Sequence, residues 1–133
     1  MANSLVLTIC AHDRPGVMKL ISNTIAECDG NWLESRMARL GGQFAGIVRV
    51  ECSEEKLSRL TENLNALSEQ GISVQIHDQG DLSEYPYTRC LRLDIFGNDR
   101  PGIVSQLTEA ISSAGANIEE LNTSIESAAM SRH

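Results

Sequence analysis

Aromatic residues are scarce in this chain. Two Phe, two Tyr and one Trp among 133 residues are too few for the stacking platforms that read unpaired bases. Positive charge is also thin: eleven Lys and Arg against eighteen Asp and Glu give a net charge of −7. The basic residues are scattered from Arg14 to Arg132 with no basic face, which argues against a direct grip on a phosphate backbone. No apolar run approaches the roughly 18 residues of a membrane helix, so no membrane partner is expected.

Cys10, Cys28, Cys52 and Cys90 have neither the close pairing of a metal site nor the density of a secreted scaffold. With no signal peptide before Leu5, a reducing cytoplasm is the expected location. Cys10 and Cys52 lie in apolar strand-like runs and are expected to be small buried hydrophobes. His12, His77 and His133 lack a His or Cys partner at ligand spacing and read as solvent-facing, so no metal is expected. No Ser or Cys sits in a nucleophile elbow, and no glycine-rich phosphate loop is present. Neither catalysis nor a cofactor is therefore expected.

What the chain does have is one stretch used twice. Asp13-Arg14-Pro15-Gly16-Val17 returns as Asp99-Arg100-Pro101-Gly102-Ile103, each time after an apolar strand-like run and before a helix-like one. An ungapped offset of 86 brings residues 5–38 onto 91–124, and ten of those 34 pairs are identical. Identity that dense at one offset indicates duplication. It divides the chain into a first module over 1–78, a polar, turn-rich linker over 79–87, and a second module over 88–133. Modules this small have thin cores and gain from docking, so a homo-oligomer is expected.

Along the first module, Leu5, Leu7 and Ile9 alternate with Val6, Thr8 and Cys10 as a strand. Asp13 is placed to accept N–H bonds at a helix start, Pro15 has a helical φ, and Gly16 admits close approach of a backbone or ligand. Val17, Leu20, Ile21, Ile25 and Cys28 form one helical stripe that ends near Asp29-Gly30. Asn31 to Leu40 and Gln43 to Cys52 read as a hairpin about Gly41-Gly42. Ser53 is placed to cap a second helix, with Leu57, Leu60, Leu64 and Leu67 on its buried face, Gly71 as its stop, and Ile72, Val74 and Ile76 in a fourth strand. The order βαββαβ over 4–78 predicts an α+β two-layer sandwich of the ferredoxin-like kind. The second copy repeats only its first half: a strand over 89–96, a helix with the stripe Ile103, Leu107, Ile111 and Ala114, and a strand from Asn117.

A strand, Asp-Arg-Pro-Gly-Val/Ile, a helix, and a Gly-Asn or Gly-x-Asn step into a strand resemble the ACT domain, a family of βαββαβ modules that bind amino acids and regulate metabolic proteins. Two in tandem with no catalytic domain resemble ACT-only regulators of glycine cleavage genes. The resemblance implies a sensor of a small amino acid, glycine the first candidate, that acts through a DNA-binding regulator protein without touching nucleic acid. It also implies that the ligand sits where a turn meets an Asn at the start of a second strand, often on a facing module. By position these are Ala11, His12, Asp13, Arg14, Pro15, Gly16 and Val17 with Asn31, and Gly97, Asn98, Asp99, Arg100, Pro101, Gly102 and Ile103 with Asn117. Helix-start N–H groups suit a carboxylate, an Asp suits an ammonium, and an Asn amide offers both donor and acceptor. Two other roles stay open: the regulatory part of a one-carbon enzyme such as a formyltetrahydrofolate hydrolase, and a ligand-free dimerisation module.

The family's strand order leaves the second copy with a gap, because the third strand lies between the first and second. Either the chain is part of a longer protein, which is the expectation, or strands from elsewhere finish the copy. The residues from Asn117 are accordingly expected to depart from the pairing seen in Asn31 to Leu40.

Overall fold

The structure, a computed structural model, describes residues 2–78 and 90–125. The chain divides into two compact units, Met1–Pro86 and Tyr87–His133. The segment expected to link the modules, 79–87, lies outside the described residues.

In the first unit, β1 (Ala2–His12), α1 (Val17–Glu27), β2 (Asn31–Leu40), β3 (Gln43–Ser53), α2 (Glu54–Ala66) and β4 (Ile72–Asp78) follow the expected βαββαβ order, with a 3₁₀ turn at Leu67–Gln70 after α2. The sheet order is β2-β3-β1-β4 and all pairings are antiparallel. This is the ferredoxin-like, α+β arrangement. The period-two alternation decides which face is buried: Leu5, Leu7, Ile9 and Ala11 of β1 point to the same side as Val48, Val50 and Cys52 of β3. Against that side lie Val17, Ile21, Ile25 and Cys28 from the first helix region and Leu60, Leu64 and Leu67 from the second. None of the buried residues among those described is polar or charged, so the hydrophobic effect holds the two layers together.

Local chemistry sets the corners. α1 ends with Asp29 at φ 54, a left-handed conformation that Asp tolerates better than most residues. Gly30 follows because a Cβ there would fall 2.7 Å from Ile25 Cγ2 and 2.9 Å from Ile25 O. Ser53 stands at the start of α2 in an extended conformation but makes no side-chain cap bond. The acidic Glu54 and Glu55 of the first turn instead complement the positive end of the helix. Cys52 is buried as expected, and Cys28 with it, whereas Cys10 is exposed. Ile9 and Ala11 on either side of Cys10 face the core, so the alternation of β1 turns Cys10 to the side of the sheet that carries no helix.

The second unit carries α3 (Ile103–Ser113). The strands expected over 89–96 and from Asn117 do not form among the described residues, 90–100 and 114–125 having no strand. The physical reason is in the first unit, where β1 and β2 never touch but both pair with β3. A strand is made by its neighbour's hydrogen bonds, and no equivalent of β3 is present among the described residues of the second unit. The expected departure of the residues after Asn117 from the pairing of β2 is therefore observed over 117–125. The stripe on α3 is affected too. Ile103, Leu107 and Ile111 are only half-buried and Ala114 is exposed.

Candidate functional site

The β1–α1 turn of the first unit is held at one end of the sheet by three neighbours. The Asp13 N–H donates to Gly42 O at 2.9 Å, which ties the turn to the tip of the β2–β3 hairpin. Gln43 Nε2 lies 3.1 Å from His12 Nδ1. Arg14 Nη2 donates to Gln70 O at 2.6 Å, reaching the corner that precedes β4. The turn is thus braced from both sides of β1, by β3 and by the approach to β4.

Asp13 does not cap the helix as expected. α1 begins after Gly16, at φ 93, with no side-chain cap, and the Asp13 carboxylate instead accepts from Arg39 Nη1 at 3.3 Å. Pro15 stands in the turn before the helix begins. Gly16 is required for its left-handed φ rather than for close contact, since a Cβ there would meet nothing within 4 Å. The outcome is a rim with adjacent opposite charges, Asp13 and Arg39, both reaching solvent. Beside them are the N–H groups of the first turn of α1, which no side chain satisfies and which favour an anion. Ala11 and Val17 lie beneath, buried in the core. Arg39, Gln43 and Gln70 are the residues that sequence reasoning missed here. The strand order carries a signal for the first two, because a hairpin tip at Gly41-Gly42 beside β1 brings residues 39–43 to His12. The contact with Gln70 is made by its carbonyl and has no sequence signal.

Asn31 is not part of this cluster. It pairs with Glu51, which is level with Ser4, while the turn follows His12. From Ser4 to His12 is roughly 27 Å at the rise of a strand. No single small ligand spans that distance within one copy of the unit.

The second unit separates its candidates in the same way. Gly102, at φ 83, starts α3, and Arg100 Nη2 donates to Gln106 Oε1 at 2.5 Å. Gly97, Asn98, Asp99 and Pro101 are exposed, and Ile103 is half-buried. Asn117 follows the far end of the helix, beside a hollow also lined by Ser112, Glu109, Thr108 and Ser105. The length of α3, about 16 Å at 1.5 Å per residue, stands between Asn117 and the turn. No cluster of three or more His, Cys, Asp or Glu side chains among the described residues could hold a metal. No helix among them is long and apolar enough to cross a membrane.

Burial, and secondarily the neighbouring Cys28, push the pKa of the Cys52 thiol up. Its Sγ lies 3.8 Å from Cys28 O, deep in the core and away from the turn.

The ACT domain model matches residues 3–77 and again 90–127, and the chain belongs to the ACT domain family. Modules of this family are regulatory and bind small amino acids. Among solved structures, a protein of unknown function from Galdieria sulphuraria is similar at 29% identity, with 92% of this chain and 70% of that one covered and a TM-score of 0.68. A candidate glycine cleavage system transcriptional repressor is similar at 18% identity over 86% of this chain and 68% of that one, with a TM-score of 0.64. A formyltetrahydrofolate deformylase from Pseudomonas syringae pv. tomato shares 21% identity over 61% of this chain but 28% of its own length, with a TM-score of 0.53. The last two likenesses establish a shared fold. No curated protein matches.

Proposed function

We propose that this chain is a non-enzymatic regulatory protein that senses a small amino acid, glycine first. It acts in the cytoplasm in transcriptional control of glycine cleavage and one-carbon metabolism, through a DNA-binding protein partner. The observation that carries this reading is the zwitterion-like pairing at the β1–α1 rim, with Asp13 and Arg39 3.3 Å apart beside the uncapped start of α1. A free amino acid needs both signs of charge within a few ångströms. Asp13 is the partner for its ammonium, and Arg39 and the helix-start N–H groups are the partners for its carboxylate. In this reading Asn31 or Asn117 completes the site from a neighbouring module, since each Asn stands too far from the turn of its own unit.

The residues proposed to form the two sites are Ala11–Val17 with an Asn from a neighbour, and Gly97–Ile103 likewise. The likeness to a candidate glycine cleavage repressor, the family membership and the acidic balance of the chain support a role exerted through a partner protein rather than on DNA. A second reading, the regulatory region of a one-carbon enzyme, draws on the likeness to the deformylase. A coding sequence running on past His133 into a hydrolase domain would favour it.

Calorimetry and thermal shift with a panel of free amino acids test the sensor. Glycine or another small amino acid is expected to bind. Asp13→Ala and Asn117→Ala are expected to weaken it by about 1.5–3 kcal/mol each, the usual worth of a hydrogen bond to a charged group. No heat and no shift with any small amino acid would leave a dimerisation module without a ligand.

A further inference from the structure

Arg14 stands next to Asp13 in the β1–α1 turn, yet its side chain leaves the rim. β1 pairs with β4 as far as Ala11 with Ile72, so the residues that follow Ala11 pass beside those that precede Ile72. There Arg14 Nη2 donates to Gln70 O at 2.6 Å. Its Nη1 lies over Gly71, 3.5 Å from where a Cβ of that residue would be, and Gly71 holds a left-handed φ of 82. Gln70 ends the helical run that α2 and the following 3₁₀ turn make together. The last turns of both lack a basic residue, so Arg14 supplies, from another part of the chain, a cation for the carbonyl end of that run. The opposite move is disfavoured: turned toward α1, the guanidinium would face the positive end of the helix.

Two arginines therefore flank Asp13 with different attachments. Arg39 comes from β2 and bonds a side chain, the Asp13 carboxylate, at 3.3 Å. Arg14 bonds a backbone carbonyl of the corner between α2 and β4. A free amino acid that gives its ammonium to Asp13 and its carboxylate to Arg39 must enter between them, and their direct bond is lost. The link from Arg14 to Gln70 uses neither group and is left whole.

Only Pro15 and Gly16 separate Arg14 from Val17, the first residue of α1. Pro15 has a fixed φ, whereas Gly16 has the freest backbone in the turn. Anchoring Arg14 thus limits how far Asp13 and the helix-start N–H groups can drift apart. Groups held in place before a ligand arrives bind it with a smaller entropic loss.

Resting on the reading of the rim as an amino-acid site, we propose that Arg14 is a positioning residue. It holds the β1–α1 turn on the corner between α2 and β4 and touches no ligand atom, while Arg39 is the arginine that takes the carboxylate. The test is a glycine titration of the full chain, of Arg14→Ala and of Arg14→Lys, followed by calorimetry and by the guanidinium NMR signals of Arg14 and Arg39. Arg14→Ala is expected to weaken glycine binding about 5-fold or more. Lysine can donate to Gln70 O but has no planar group to lie over Gly71, so Arg14→Lys is expected to fall between. In the unmodified chain, saturation with glycine is expected to move the Arg39 signal and to leave that of Arg14 in place, a pattern that a merely structural role would not produce. An Arg14 signal that moves as far as that of Arg39 would make Arg14 a ligand contact and overturn the proposal. Binding that Arg14→Ala leaves unchanged would overturn it too, and in both cases the sensor reading stands. No binding of glycine to the unmodified chain would overturn that reading and this proposal with it.

Discussion

The same sequence pattern meets two fates in this chain. Leu5, Leu7 and Ile9 are sealed in a sheet between β3 and β4, while Leu91, Leu93 and Ile95 at the identical offset positions stand exposed without strand pairing. α1 buries Val17, Ile21 and Ile25, whereas α3 buries none of its residues. Arg14 reaches across to Gln70 at the corner before β4, but Arg100, with no such corner among the described residues of its unit, turns back to Gln106 on its own helix. Alternation and an amphipathic stripe specify which face of an element is apolar. Whether that face is covered depends on the rest of the module.

The largest expected difference between the units is in the core. Ile21→Ala removes a fully buried side chain and is expected to cost about 2–5 kcal/mol in urea unfolding. Leu107→Ala, at the equivalent half-buried position, is expected to cost less than about 1 kcal/mol in dilute solution. Equal costs would break the comparison.

The two turns, by contrast, are alike. Gly16 and Gly102 both adopt left-handed φ, at 93 and 83, so alanine strains each backbone by about 1–2 kcal/mol. That cost is expected to appear in the stability of the first unit for Gly16→Ala. For Gly102→Ala it is expected as reduced helix content at 103–113, measured by chemical shifts.

The thiols give the smallest effect. Cys10 and Cys90 are exposed while Cys28 and Cys52 are buried, so a thiol reagent at neutral pH is expected to modify the first two quickly and the others only on unfolding. The raised pKa of Cys52 favours the neutral thiol in the folded state. Its contribution to stability is therefore complete below the ordinary cysteine pKa and lost as the pH rises through the raised value. Cys52→Ser is expected to flatten that alkaline loss.

Much of the first unit was legible because its local signals agree with one another. β2 runs from Asn31 to Leu40 as the hairpin about Gly41-Gly42 predicts, and the helical stripes are buried where expected save Leu20 and Leu57, which are half-buried. The second unit was legible in its helix and in its gap, but its expected strands fail because periodicity names a face and not a neighbour. At the candidate site the Asp-Arg-Pro-Gly turn was found by repetition alone. The use of Asp13 was misread, since its choice of Arg39 over the helix N–H groups is made by the hairpin folding beside it. The ~27 Å that separates Asn31 from the turn follows from register, which single-strand patterns do not contain.

Hydrogen exchange read at residues 5–11 and 91–96 of the same chain tests the central comparison most directly. The amides of 5–11 are expected to be strongly protected and those of 91–96 to exchange nearly as fast as an open chain. Protection at 91–96 equal to that at 5–11 would show that the second unit completes its own sheet, and would contradict the account.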